Sequence, residues 1–392
     1  MFKRTRGGDQ KPSALKIATH DGTFHCDDAL AVYLLKQLPK FRNAEIIRTR
    51  DRDVMFEADA RVDVCGIYDT EKWCFDHHQP SFKLTMADLR PGLKQADIKL
   101  SSAGLVYHNF GEEIIASQMK IDSDDPAVKK VWRKVYENFI REVDAIDNGI
   151  EMCEGEPKYR ISTGLSSRVA HLNPRWNENQ TPEELLLRFH KAVKLVGKEF
   201  YHMVDFYAKS WIPSRVIVEK AIVNRKKEHD TGEIAVLHEG VCPWKDHLFE
   251  IEEELGIKGE IKFVVYRDIT NSFRVQAVPI KEGSFTSRKF HRRKPNSLRF
   301  LEPCSHKMGV SSDIESSANF SFCRCIEISR KALPWKGKRE DDLNQAVGIK
   351  GCIFVHNSGF IGGHQTLEGA LIMAKKALLT SNANGNGKKA SS

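Results

Sequence analysis

Apolar and polar residues along this chain fall into short blocks whose period changes from two to about three and a half and back. Leu15-Lys16-Ile17-Ala18-Thr19, residues 44–48 and Ala60-Arg61-Val62-Asp63-Val64 are brief runs rich in Ile, Val and Ala, each closed by polar residues, and they read as strands. A shorter apolar run, Trp73-Cys74-Phe75, makes residues 72–75 a fourth. Residues 29–38 are apolar on most faces, preceded by Asp27 and Asp28 as capping candidates and stopped by Pro39, which predicts a helix. A polar, helical crossover separates the second and third runs, so the rhythm is that of a parallel sheet. Ser101-Ser102 caps a helix through Leu105 and Ile114. From residue 125 to 146, Val128, Val131, Val135, Phe139, Val143 and Ile146 recur at three- and four-residue steps. That long helix stops at Asp147-Asn148-Gly149, where glycine permits a left-handed turn.

The second half opens on Thr181-Pro182-Glu183-Glu184, a capping threonine followed by proline and two acids, which is a strong helix start. The helix is expected to run to Ser210, and its length predicts a connector between lobes. A smaller α/β unit follows, with strands at 234–237, 261–266, 273–280 and 352–355 and helices at 245–255 and 366–379. The expected division is therefore a first domain at 14–180, a connector helix at 181–210 and a C-terminal domain at 211–379.

Residues 290–331 break this pattern. They carry eight Lys/Arg against four Asp/Glu and three of the nine cysteines, without sustained periodicity. Ser287-Arg288-Lys289 reappears at their far end as Ser329-Arg330-Lys331. A disordered insertion is expected there; the alternatives are a nucleic-acid arm or a metal knot of Cys304, His306, Cys323 and Cys325. The Asn/Gly/Ser/Lys-rich tail, 380–392, is expected to be disordered as well.

Composition narrows the class. Hydrophobic residues make up 41% and charged residues 29%, ordinary for a soluble globular protein, and no run of about 18 apolar residues suggests a membrane span. Nine cysteines without a CxxC pair argue for a reducing compartment and against a disulfide framework or a cysteine zinc site. The basic start, Met1-Phe2-Lys3-Arg4-Thr5-Arg6, lacks the apolar core of a secretory signal. An intracellular protein is expected. The net charge of +8 fits either a mildly basic enzyme or one with a polyanionic substrate.

Chemistry gathers at the strand ends. His20-Asp21-Gly22-Thr23-Phe24-His25-Cys26-Asp27-Asp28 follows the first strand, Asp63 ends the third, and Asp76-His77-His78-Gln79 follows the fourth. Adjacent histidines face opposite ways along a regular strand, but not once the strand has ended. Carboxylates and imidazoles at three strand ends predict one site at the carboxyl edge of an open α/β sheet. Asp144 and Asp147 sit at a helix C-terminus, where carboxylates are electrostatically disfavoured, which argues for a functional reason.

These motifs resemble the melanocyte-proliferating-gene exonuclease family, a branch of the DHH phosphoesterases, which include RecJ-type exonucleases, oligoribonucleases and manganese pyrophosphatases. The resemblance is carried by Thr19-His20-Asp21-Gly22 with Phe24-His25-Cys26-Asp27, by Val62-Asp63-Val64 with Gly66 and Tyr68-Asp69, and by Asp76-His77-His78-Gln79 and Asp144-Ala145-Ile146-Asp147-Asn148-Gly149. Gly359-Phe360-Ile361-Gly362-Gly363-His364, followed by Glu368-Gly369-Ala370, resembles the glycine-rich signature of the DHH-associated substrate domain.

The fold it implies is α/β, a DHH-type open, mainly parallel sheet joined by a long helix to a smaller α/β substrate domain. It also implies two divalent cations, one held by His20, His25 and Asp63 and the other by Asp27, Asp63, His77 and Asp147. Asp63 would bridge them and His78 would face the scissile phosphate, so His78 and Asp63 are the expected catalytic pair. Carboxylates suit Mg²⁺ and Mn²⁺, and the imidazoles favour Mn²⁺. In other branches the first motif reads His-x-x-x-Asp-x-Asp; here the loop is one residue longer, and His25 stands in place of the first aspartate. Cys65 stands where the family usually has glycine, and Asp69 competes with Asp63 for the bridging role.

Gly362-Gly363-His364 is read as opening the C-terminal helix and binding a phosphate or terminal sugar there, with Phe360 stacking on a base. The implied activity is 3′-to-5′ removal of nucleotides from RNA or single-stranded nucleic acid, in nucleus or mitochondrion. A hydrolase of small phosphoanhydrides or dinucleotides and an inactive nucleic-acid-binding scaffold are the competing readings.

Overall fold

Lys16-Ile17-Ala18-Thr19 forms β1 (Lys16–Thr19), the inner strand that everything in the first half is built on. It pairs in parallel with β2 (Glu45–Arg48) on one side and β3 (Ala60–Val62) on the other. A hairpin completes the five strands: β4 (Tyr68–Asp69) runs antiparallel to β5 (Cys74–Phe75), and β5 is parallel to β3. The order β2-β1-β3-β5-β4 is open and mainly parallel, as the strand-helix rhythm predicts. The computed structural model describes residues 14–93, 96–157, 159–281, 288–289 and 329–380. It divides into two units, Met1–Ile212 and Pro213–Ser392.

Helix α1 (Cys26–Gln37) starts three residues ahead of the apolar run, because the Asp28 carboxylate accepts from His25 N at 3.0 Å and caps the first turn. The crossover from β2 to β3 contains α2 (Arg52–Phe56), capped by Asp51. After β5 come the short α3 (Met86–Leu89) and the long α4 (Ser102–Met119), capped by Ser101. The helix expected over 125–146 is two, α5 (Pro126–Val135) and α6 (Arg141–Asp147), joined without a break by a π-turn at Tyr136–Ile140. Then come α7 (Leu165–Ala170) and α8 (Pro182–Phe206). The expected connector buries a face in the first unit. Phe189 meets Phe24 edge-on at 5.6 Å between ring centroids, and Phe200 meets Tyr33 and Tyr107 at 6.1 Å. Nor does helical backbone stop at Ser210. It passes through a second π-turn, Tyr207–Trp211, into α9 (Ile212–Glu228).

The second unit has a five-stranded sheet of order β11-β12-β8-β7-β6. In chain order it holds β6 (Ile234–Leu237), α10 (Trp244–Glu254), β7 (Phe263–Arg267) and β8 (Phe273–Ala277). A two-stranded ladder, β9 (Arg288–Lys289) with β10 (Ser329–Arg330), joins the two occurrences of the Ser-Arg-Lys repeat. The unit ends with α11 (Glu340–Val347), β11 (Cys352–Val355), β12 (Ile361–His364) and α12 (Leu367–Leu379). Alternate residues of β7 serve two cores: Phe263 and Val265 pack with Met373 and Ala374 of α12, while Val264 and Tyr266 pack with Trp244 and Leu248 of α10. Apart from Ser329–Lys331 and Thr380, the expected insertion at 290–331 and tail at 380–392 lie outside the described residues. No helix among the described residues is long and apolar enough to cross a membrane.

The glycine-rich segment needs correction. Gly362, Gly363 and His364 do not open the C-terminal helix; they are the middle and end of β12, paired antiparallel with β8, and all three are buried. The helix begins after Thr366, whose side chain accepts from Gly369 N. Space is tight here: a Cβ at Gly363 would lie 2.8 Å from the Arg274 guanidinium and 3.0 Å from the Phe354 ring, so these neighbours would have to shift.

Candidate metal centre

Parallel pairing brings the carboxyl ends of β1, β3 and β5 to one edge, which places His20, Asp63 and Asp76-His77-His78 side by side. β3 ends at Val62 because Asp63 turns to φ +59, a left-handed conformation that aspartate tolerates better than most residues. Its amide still donates to Phe75 O at 3.1 Å, so the turn stays tied to β5. The carboxylate lies between two histidine groups. Oδ2 is 3.4 Å from His20 Nε2, and Oδ1 is 3.4 Å from both His77 Nε2 and His78 Nδ1. Ser102 Oγ, in the first turn of α4, donates to Oδ1 at 3.0 Å.

Two helices add further acids. Asp27, in the first turn of α1, is completely buried. Asp147 ends α6, with Oδ2 at 3.1 Å from His77 Nε2. Three sets of donor atoms lie within 4.8 Å of one another: His20, His25 and Asp63; Asp63, His77 and His78; and Asp27, His77 and Asp147. All six residues expected to hold metal occur in these sets, as does His78. Asp69 is in none of them among the described residues, and its carboxylate instead meets Lys72 Nζ at 2.7 Å.

Supporting contacts were not legible from spacing. Asp28 does more than cap α1: its Oδ2 is 3.1 Å from His20 Nε2. Asp76 holds His78, with Oδ1 at 2.8 Å from Nδ1 and 3.1 Å from the His78 amide, while Oδ2 accepts from Gly66 N. Asp144, one turn before Asp147, is buried and accepts from Ser101 N at 3.0 Å and Ser101 Oγ at 2.7 Å. Gly104 makes room for that carboxylate, since a Cβ there would lie 2.4 Å from Asp144 Oδ1. Thus Ser101 and Ser102, read from sequence as a cap, also grip Asp144 and Asp63.

The electrostatics are those of a site built around cations. Burial, then the charges of Asp63, Asp147 and Asp28, push Asp27 far above the ordinary carboxylate range. Burial also raises Asp147, and it carries Asp144 up to about 7. Burial opposes ionisation of Asp63 too, but hydrogen bonds from His20 and His77 outweigh it and hold this carboxyl well below its usual range. His20 is disfavoured as a cation by burial, yet Asp28 and Asp63 push it up to about 10. The donor set fits divalent metal. Neither oxygen of Asp27 makes a hydrogen bond, nor does Nδ1 of His77, although all three atoms are buried, while His77 Nε2 faces the carboxylates of Asp147 and Asp63. A fold leaves such atoms unpaired only at a cost of several kcal/mol unless a ligand completes them.

The cluster opens into a cavity of about 910 Å³ whose lining also includes Ile146, Ser166, Ser167 and Ala170. Among its lining residues, Arg50 is the one lysine or arginine.

A family model described as MYG1_exonuc, Uncharacterised protein family (UPF0160), matches residues 16–298 and 322–378, passing over 299–321. The chain is 45% identical to the MYG1 exonuclease of Bos taurus over 93% of this chain and 84% of that protein. It is 44% identical to the Homo sapiens MYG1 exonuclease, covering 96% and 88%. With the MYG1 protein of Dictyostelium discoideum it shares 42% identity, covering 93% and 97%. Among solved structures, RecJ from Thermus thermophilus in complex with Mg²⁺ aligns over 67% of this chain and 42% of that one, at 16% identity and a TM-score of 0.17. At that score two chains need not share a fold.

Proposed function

The chain belongs to the MYG1 exonuclease family, and from that premise we propose that it is a metal-dependent phosphodiesterase, specifically a 3′-to-5′ RNA exonuclease working by two-metal hydrolysis. The observation that carries the reading is the buried, unpartnered carboxylate of Asp27 beside a shared Asp63. His20, His25 and Asp63 would hold one cation; Asp27, Asp63, His77 and Asp147 would hold the second. Bound divalent ions, Mn²⁺ for preference and Mg²⁺ otherwise, would supply Lewis acidity and make water a nucleophile at neutral pH.

The chain's own residues set the geometry. Ser102 and the left-handed turn fix the Asp63 carboxylate edge between the two histidine groups. Asp76 orients His78, whose half-exposed ring lines the cavity and can donate a hydrogen bond to a phosphate oxygen. The net charge of +8 favours a polyanionic substrate over a small anhydride. The same premise makes nucleus or mitochondrion the expected location.

End-labelled RNA and DNA oligomers incubated with Mn²⁺, Mg²⁺ or EDTA test the reading. A ladder shortening from the 3′ end, dependent on metal and stronger on RNA, is expected. Hydrolysis of pyrophosphate or dinucleotides alone transfers the site to the small-substrate reading, and binding without any turnover transfers it to the scaffold.

A further inference from the structure

One cation borders the metal cavity and belongs to none of the ligand sets. Arg50 follows β2, whose parallel pairing with β1 sets it beside the loop that starts at His20. Its Nη1 donates to Asp21 O at 2.6 Å and pairs with the Asp21 carboxylate. His20 Nδ1 lies 2.9 Å from that same carbonyl, so guanidinium and ligand histidine are held by one peptide group. Arg48 braces the loop from beneath, with Nη2 donating to Gly22 O at 2.8 Å. Every hydrogen bond of the Arg50 side chain among the described residues uses Nη1. The opposite edge of the guanidinium, Nε–H with Nη2–H, is unused, and the side chain is 60% exposed. Two parallel donors on a planar, permanently charged group match a phosphate's paired oxygens.

We propose that Arg50 is a substrate-binding residue whose free Nε/Nη2 edge clamps the phosphate next to the scissile one, with Asp21 fixing the fork's direction. The scissile group is provided for by the ligand sets around Asp63, whereas Arg50 stands at the rim of the same cavity and outside those sets. This deepens the phosphodiesterase reading and rests on it. It also defines the preferred substrate: a chain with at least one phosphate beyond the bond being cut.

The test uses the full chain with Arg50→Ala and Arg50→Lys. Affinity for a short fluorescent single-stranded RNA is measured by anisotropy with Ca²⁺ in place of Mn²⁺, across a salt series. Turnover is measured with Mn²⁺ on RNA oligomers and on bis(p-nitrophenyl) phosphate, which has one phosphate. Arg50→Ala should weaken RNA binding and raise its KM by about tenfold or more, and lower the salt slope by about one. The loss on the single-phosphate ester should be several-fold smaller, and Arg50→Lys, with charge but no fork, should fall between. Unchanged RNA affinity, or equal losses on both substrates, overturns the clamp. Failure of the wild type to cut either substrate, with Arg50→Ala still weakening binding, overturns the hydrolytic reading and leaves the clamp standing.

Discussion

Both units bury ionisable side chains, and they treat them in opposite ways. In the second unit Glu252 is fully buried, and its carboxylate accepts from Gly259 N at 3.1 Å and Ile261 N at 3.2 Å. His364 there is completed as well, with Nδ1 accepting from Thr366 N and Nε2 facing Lys350 O, both at 2.9 Å. In the first unit Asp27 is just as buried and has no hydrogen-bond partner, and His77 has none at Nδ1. The same chain thus completes one set of buried ionisable groups from its own backbone and leaves the other to be completed from outside. Burial alone does not distinguish function from architecture. Satisfaction does.

The contrast breaks most visibly at Asp63. Asp63→Asn should cut Mn²⁺-dependent turnover on RNA by about 1000-fold or more with the melting curve little changed, since an amide offers one neutral acceptor where two anionic oxygens are shared. Turnover near wild type would show that Asp63 is not the bridge. The next effects differ between the two units. In EDTA, Asp27→Asn should change stability by less than about 1 kcal/mol, because burial and the neighbouring acids already hold that carboxyl in its neutral form. Glu252→Gln should destabilise the protein by about 1–3 kcal/mol, because its NH₂ group faces backbone N–H donors. Urea unfolding reads both. Added Mn²⁺ should raise the melting temperature of wild type far more than that of Asp27→Asn.

A smaller effect depends on pH. Burial carries Asp144 from the ordinary 3.8 up to about 7, so the folded state holds a proton that the unfolded state releases between those values. Stability from this group is therefore full below the unfolded value and is lost as pH rises towards 7. Wild-type stability in EDTA, measured relative to Asp144→Asn, should fall by about 3 kcal/mol from pH 4 to pH 7. A flat difference would mean that Ser101 keeps the group ionised. The least disturbance is expected from removing 299–321, the stretch the family model passes over. The melting temperature should move by less than about 2 °C, because loop length enters stability only logarithmically. A fall of many degrees would show the stretch to be packed.

The strand ends were readable because alternation stops abruptly at polar residues, and parallel pairing does the rest. His20, Asp63 and His77 therefore converge much as their positions suggest. Three things were hidden, each for a physical reason. Val131, Val135, Phe139 and Val143 keep four-residue spacing straight through the π-turn, so no break shows in the pattern. Gly362 and Gly363 read as a phosphate loop because glycine signals open backbone, yet here it signals crowding, by Leu333 and Phe354 at the first and by Arg274 and Phe354 at the second. Arg50, Ser102 and Asp28 work through partners 29, 39 and 8 residues away in the chain, and such pairings exist only once the sheet has formed.

The π-turn at Tyr136–Ile140 has a consequence for how the site can evolve. A π-turn absorbs about one more residue than an α-turn, and each residue of an α-helix advances the azimuth by about 100°. Removing one residue between Val135 and Arg141 would restore a regular α-helix, and because the π-turn spreads its extra residue over one full turn, Asp144 and Asp147 would keep about their present azimuth. The same deletion in the regular part of α6 ahead of Asp144 would instead turn both carboxylates by about 100°. A one-residue change in chain length is therefore absorbed at the π-turn, where it spares the aim of the two acids.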